Sequence, residues 1–218
     1  MRDEDFEIFI ENFGEATHRE AVPELSFEKF RGVLPQQLLN YWKEEGWCGY
    51  AKGLVWTVNP EKYSGLVKLW LADTPYEKLD AFHVIARSAF GDLYAWGERT
   101  NRYVVIGCPE NALIAMDKEF RKVQKKPDLA IRVFFSSFDR EDFDLEDETD
   151  KWLFKRALKN LGPLGPNEVY GFEPALVMGG PRRLENLGKL DLFVHLAILR
   201  QFAAPVIPFA GVDPGPSV

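Results

Sequence analysis

The residues with the most chemical potential stand together at Asp139–Asp150, which reads DREDFDLEDETD. Eight are acids (Asp139, Glu141, Asp142, Asp144, Glu146, Asp147, Glu148 and Asp150), set against one base, Arg140. The chain has a formal net charge of −7, and this run alone accounts for it, since acids and bases balance elsewhere. Carboxylates at this density suggest a hard-cation site. A calcium loop, however, needs glycine at its sixth position and glutamate at its twelfth. Counted from Asp142, those positions are Asp147 and Leu153, so the spacing excludes an EF-hand. Two readings remain. One is a solvated loop whose acids favour the N-terminus of a following helix, each by about 0.3–1 kcal/mol. The other is an anionic surface that steers toward a basic protein partner. The interleaved Phe143 and Leu145 fit the second reading as desolvated anchors, and the first as pins that tie the loop to the body. On the binding reading, Asp142, Asp144, Glu146, Asp147 and Glu148 are the expected charge contacts, with Phe143 as anchor.

The other reactive side chains form no constellation. His18, His83 and His195 share no motif, so no zinc site can be written from them. His83 and His195 lie in apolar stretches and are expected to be hydrogen-bonded core residues. Ser136-Ser137 has no histidine nearby in sequence, and no nucleophile elbow, phosphate loop or dinucleotide fingerprint occurs. Glu44-Glu45 reads as a pair on a solvated helix face. Arg182-Arg183 follow the turn Gly179-Gly180-Pro181 and read as solvated bases. No catalytic residue, metal or cofactor is expected.

The 218 residues allow one large domain or two small ones, and 46% hydrophobic residues suffice for a sizeable core. The acidic balance argues against direct binding to nucleic acid, whose phosphates demand a basic face. Cys48 and Cys108 lack metal spacing and are expected to be reduced, buried thiols. The start, MRDEDFEIFI, reverses the charge order of a signal peptide. The longest apolar run, Leu190–Leu199, is broken by Asp191 and His195 and falls short of the ~20 residues of a membrane span. A reducing, cytoplasmic location is the expectation.

Periodicity predicts the elements that position these groups. Helices are expected at Asp5–Phe13, Val33–Gly46, from Pro60 through Trp70, Lys151–Leu161 and Leu184–Phe202. In the last, Leu187, Leu190, Phe193, Val194, Ala197, Ile198 and Phe202 follow the helical period. Strands are expected at Ala51–Val58, Phe82–Arg87, Leu93–Trp96, Tyr103–Ile106 and Leu129–Phe135, with short extended pieces at Val169–Tyr170 and Ala175–Met178. Asn111–Met116 is a further strand of ambiguous period. The basic stretch Asp117–Pro127 fits a linker or an exposed helix and marks a soft boundary. Residues 205–218 are Pro- and Gly-rich and should fray. The class is α+β, with helices packed on a mainly antiparallel sheet. Two closely associated regions, 1–121 and 122–218, are expected.

Two sets of segments carry a family resemblance. The first is LPQQLLNYWKEEGW (Leu34–Trp47), LVWTVNPEKY (Leu54–Tyr63) and ARSAFGDLYAWGE (Ala86–Glu98). It resembles a GAD-like region. The second is LGPLGPNEVYGFEPALVMGG (Leu161–Gly180) with KLDLFVHLAIL (Lys189–Leu199). It is similar to the C-terminal region of type VI secretion immunity proteins whose N-terminal part is GAD-like. Gly91 and Gly171 in these segments read as turn positions needing positive φ. The resemblance implies a protein that binds and blocks a cognate, co-encoded nuclease toxin, typically a DNase. The acidic run lies outside the resembling blocks. A Pro-started, Trp-bearing helix also occurs in SUKH domains, so a regulatory binding module is one alternative. An enzyme that reverses a toxin's modification is another.

Overall fold

The computed structural model describes residues 2–115, 120 and 122–209. The chain begins with α1 (Glu4–Phe13), β1 (His18–Glu20), α2 (Glu24–Phe30) and α3 (Gln36–Glu45). Then come β2 (Trp47–Tyr50), β3 (Val55–Thr57), α4 (Pro60–Leu71), β4 (Phe82–Ser88), β5 (Asp92–Gly97), β6 (Tyr103–Gly107) and β7 (Ala112–Ile114). The second part holds α5 (Pro127–Ser136), α6 (Phe154–Leu161), β8 (Glu168–Phe172), β9 (Leu187–Asp191) and α7 (Leu192–Phe202). Among the described residues, β1 to β7 form one antiparallel meander in chain order, while β8 and β9 pair separately. The α+β class is as the sequence implies.

Local signals explain the elements read correctly. In α1, Asp3 accepts a hydrogen bond from the Phe6 amide, and Gly14 ends the helix at φ +81°. Phe6, Phe9 and Phe13 recur on one face and are buried. Asn59 caps α4, and Pro60 opens it where its missing N–H is harmless. Gly91 does adopt positive φ, at +100°.

Several expectations are corrected. Ala51–Val58 is not one strand: Ala51, Lys52 and Gly53 all have positive φ and make the turn between β2 and β3. β2, β1 and α2 were not anticipated. Leu129–Phe135 is helical, because Ile131, Phe134 and Phe135 share the buried face of α5. Exposed Leu129 and Val133 on the other face had blurred that period. Ala175–Met178 is largely a 3-10 turn. The expected helix from Leu184 divides into a 3-10 turn, β9 and α7, because residues 187–191 pair with β8. Within α7, Leu192, Leu196 and Leu199 face inward, while Val194, Ile198 and Phe202 are exposed. An all-round apolar helix had concealed which stripe is buried. Gly171 lies in β8 without positive φ. It is small because His195 Nε2 would lie 2.4 Å from an added Cβ. Residues 205–207 are not frayed: Val206 pairs with Ala112, and its carbonyl accepts from the Leu113 amide at 2.8 Å. Of the basic stretch, 117–119 and 121 lie outside the described residues, as do position 116 at the end of the expected 111–116 strand and 210–218.

The second part packs closely on the first. α5 lies against α1 and α3, and Arg132 Nε pairs with Asp5 at 2.6 Å. α4 lies against β4 and α7, where Trp70 Nε1 donates to the Leu196 carbonyl at 3.0 Å. The β8 amide of Tyr170 donates to the Ala89 carbonyl at 3.0 Å. The deepest link is Arg87 of β4, which is fully buried. Its guanidinium donates to the carbonyls of Ser88 at 3.1 Å, Pro166 at 3.1 Å and Gly165 at 3.5 Å, and lies 4.7 Å from the Trp56 ring centre. Burial pushes its pKa down from the ordinary arginine value, and its Nε has no hydrogen-bond partner among the described residues.

Replacing Arg87 by Met keeps the stem and removes the cation. It relieves desolvation but leaves three carbonyls without this donor. Orphaned buried acceptors outweigh that relief, so R87M should lose about 1.5–3 kcal/mol of stability, read from the urea midpoint. An unchanged midpoint would show that Arg87 is not a structural joint.

Candidate functional site

The acidic run is a folded hairpin, and its parts follow from local hydrogen bonding. After α5, Phe138 and Phe143 turn inward with Phe134 and meet Tyr94 of β5; Phe143 lies 5.0 Å from Tyr94 and 5.5 Å from Phe13, centre to centre. Phe143 is 1% exposed. It is therefore a pin, and the expectation that it anchors a partner is corrected. Its burial follows from the 3-10 turn Glu141–Phe143, which points it under the loop while Glu141 and Asp142 face outward.

Asp144 closes the hairpin base. Its Oδ1 accepts from the Leu145 amide and from the Phe154 amide, both at 2.8 Å. Phe154 opens α6, whose own N-cap residue, Leu153, has no polar side chain. Asp144 thus caps the helix from ten positions upstream. Above it, Glu146 and Trp152 form an antiparallel bridge, and the Asp147 amide donates to the Lys151 carbonyl at 2.9 Å. Asp147 Oδ1 accepts from the Thr149 amide at 2.8 Å and the Thr149 hydroxyl at 2.7 Å, while Oδ2 pairs with Arg156. Glu148 pairs with Arg183 Nε at 2.6 Å.

The two inward acids titrate in opposite directions. Burial raises the Asp144 carboxyl above the usual carboxylate range, against the pull of the Phe154 and Leu145 amides. Arg156 and then Thr149 hold Asp147 well below that range. Asp139, Glu141, Asp142, Glu148 and Asp150 are exposed, and Glu146 is half-buried. The residues expected as charge contacts therefore divide. Asp142, Glu146 and Glu148 lie at the surface, whereas Asp144 and Asp147 hold the loop together.

The hairpin flanks a groove of about 580 Å³. Leu54, Phe154, Leu158 and Trp152 form its apolar lining, with Lys52, Lys155, Arg140, Glu141 and Glu15 among its charged residues. Sequence reasoning missed it, because one wall is the β2–β3 turn and the other is α6. The available signal was Trp152, an aromatic at the edge of an acidic loop and 39% exposed.

The remaining reactive groups are spread out. His83 Nε2 contacts Glu98 Oε1 at 2.6 Å, His18 lies 5.4 Å from the Trp56 ring, and burial lowers the His195 pKa. Cys48 and Cys108 are free and buried. Arg182 and Arg183 are in ion pairs with Glu110 and Glu148 rather than simply solvated. Among the described residues, no group of three or more His, Cys, Asp or Glu is arranged to hold a metal ion.

The chain matches known families over most of its length. Residues 4–110 match the GAD-like domain, and residues 128–203 match the family described as T6SS immunity protein Tdi1, C-terminal. The chain belongs to the type VI secretion immunity proteins that carry a GAD-like N-terminal region. The second match takes in the acidic hairpin, which the resembling sequence blocks had left out. The crystal structure of Atu4351 from Agrobacterium tumefaciens is similar: the TM-score is 0.79 at 26% identity, covering 90% of this chain and 88% of that one. No curated protein matches the chain.

Substitutions at Asp144 separate its two roles. Asp144→Ala removes the helix cap and should cost about 0.5–2 kcal/mol by chemical denaturation. Asp144→Asn keeps an acceptor and removes the charge that burial disfavours. A raised folded pKa means that the wild-type penalty builds as pH rises from the unfolded to the folded pKa. Asp144→Asn should therefore be at least as stable as wild type at neutral pH, with any advantage vanishing in acid. At Asp147 the sign is opposite: its contribution is present above the unfolded pKa and is lost as pH falls through the depressed folded pKa.

Proposed function

We propose that this immunity protein neutralises a cognate DNase toxin by stoichiometric binding, covering the toxin's DNA-binding groove or active site or holding it in an inactive shape. The observation that carries this reading is the placement of the chain's net charge on one ordered hairpin, five of whose eight acids are exposed. A DNase needs a basic surface for phosphates, and an acidic hairpin competes for that surface. Association should be fast and should weaken steeply with salt. The charge contacts are Asp142, Glu146 and Glu148, with Asp144 and Asp147 fixing their positions. Action inside the producing cell's cytoplasm fits the two thiols and the absence, among the described residues, of any helix long and apolar enough to cross a membrane. Tight binding is what such protection demands, and nanomolar affinity corresponds to about −12 kcal/mol.

The test is a titration of the protein into the purified product of the adjacent toxin gene, with plasmid degradation read against molar ratio. Loss of cleavage should break near equimolar. Protection at small fractions of an equivalent would instead mean catalysis, and no protection at any ratio would refute the reading. Reversing Asp142, Glu146 and Glu148 to Lys should weaken toxin binding at least tenfold, about 1.4 kcal/mol. Unchanged affinity would remove the hairpin from the interface.

A further inference from the structure

We infer that the cavity between α5 and the β5–β7 part of the sheet binds a small amphipathic carboxylate, an apolar body carrying one anionic head. This site goes beyond the neutralisation reading, and no acid of the hairpin lines it. The cavity holds about 410 Å³. That lies within the range of small-molecule sites, which combine apolar walls with a few convergent polar groups. Val105 of β6 and Ile114 of β7 form one wall, and Leu129, Val133 and Phe134 of α5 form the other. Ile114, Leu129 and Val133 are 37%, 46% and 50% exposed. Apolar surface left wet in this way gains free energy when an apolar body covers it.

A buried donor calls for the head group. Trp96 of β5 stands opposite Tyr103 of β6, and such cross-strand partners share one face of a sheet. That face is the one α5 covers, since the Tyr103 ring lies 5.2 Å from Phe134. Trp96 lines the cavity, is 1% exposed, and its indole N–H has no hydrogen-bond partner among the described residues. An unmade buried donor costs free energy that an acceptor in the cavity would recover. Asn101, Gln124 and Ser137 also line the cavity but are engaged. Asn101 Nδ2 donates to the Gln124 carbonyl at 3.2 Å, Gln124 Oε1 accepts from the Lys126 amide at 3.1 Å, and Ser137 Oγ donates to the Phe134 carbonyl at 3.4 Å. The Trp47 indole likewise lacks a partner among the described residues, but the hollow beside it holds only about 30 Å³, room for water alone.

Charge selects an anion. Arg102 is the one charged residue among the described lining residues, although acids outnumber bases in the chain by 34 to 27. Lys122, Lys125 and Lys126 are exposed on the segment that leads into α5, and Gln124 between them lines the cavity. The described part of the basic stretch is thus a positive rim. Neighbouring acids turn to other partners: Asp128 Oδ1 accepts from the Gln37 amide at 2.9 Å, and Glu98 contacts His83 Nε2 at 2.6 Å. A cationic ligand would meet no carboxylate among the described lining residues. An anionic one gains a charge-assisted bond from the Trp96 N–H and attraction from the rim. The two walls come from different halves: Trp96 and Val105 lie within the GAD-like match, Leu129 and Val133 within the C-terminal match. An occupant therefore holds the halves together.

The experiment titrates decanoate, 1-decanol and decylammonium, matched in chain length and kept below micelle formation, into the full-length protein by calorimetry. Decanoate should saturate a single site and bind at least tenfold more tightly than either of the others. It should also raise the thermal midpoint, because a ligand of the folded state stabilises that state. Val133→Glu, at an exposed position of the wall, should weaken decanoate at least tenfold while the urea midpoint stays near wild type. Val194→Glu, on the exposed apolar stripe of α7, should bind decanoate like wild type. Trp96→Phe removes the donor and should weaken decanoate more than 1-decanol. Absence of decanoate binding, equal binding of the three probes, or wild-type affinity in Val133→Glu would overturn the assignment. Equal losses in Val133→Glu and Val194→Glu would mean general adsorption and overturn it too. If Trp96→Phe lowers the urea midpoint, Val133→Glu and the head-group series decide. No toxin enters the measurement, so its outcome is separate from that of the neutralisation reading.

Discussion

The guanidinium of Arg87 sits in the core without a carboxylate and is held by carbonyls from two separate stretches of chain. A buried cation tolerates few arrangements, because each lost acceptor leaves charge facing apolar surroundings. β4 and the 165–166 loop are thereby fixed against each other. From that loop the chain enters β8, whose Tyr170 amide binds Ala89 of the turn after β4, while the Tyr170 hydroxyl donates to the Gly162 carbonyl at 2.6 Å. Gly162 ends α6. The C-terminal end of the groove wall is therefore set by a charge buried far from it in sequence.

The other end of α6 is set by Asp144. The hairpin and the helix order each other, since the carboxylate that closes one also caps the other. Within a twelve-residue run the acids fall into two kinds. Asp144 and Asp147 are consumed by amides, a hydroxyl and Arg156, whereas Glu141, Asp142 and Asp150 are exposed and Glu148 pairs with Arg183.

How much of this could be read from the sequence depended on the range of the forces involved. Capped helices such as α1 and α4 were legible because their signals lie within a few residues, as with Asp3, Gly14, Asn59 and Pro60. The β4–β6 meander was legible from alternating apolar segments and turns. α5 and α7 misled because apolar residues occupy both their faces, and only tertiary packing decides which face is buried. β9 was hidden because Leu187 and Leu190 imitate helical spacing, and its identity depends on pairing with β8. At the candidate site, the acid density was visible, but the division of its members was not. That Phe143 is a pin depends on Phe13 and Tyr94, both distant in sequence. The groove left only Trp152 as a sequence signal, since its walls meet only in three dimensions.

The pairing of Val206 with Ala112 acts beyond its own two hydrogen bonds. The seven-strand sheet ends at β7, whose outer backbone groups would otherwise be open to a strand from another molecule. The chain's own 204–206 segment occupies that position, held also by Asn111 Nδ2, which donates to the Ala204 carbonyl at 2.9 Å. Residues 204–206 therefore cover this edge of the sheet. A protein trimmed before Ala204 would carry an unguarded β-edge, and its solubility as well as its stability would then depend on concentration.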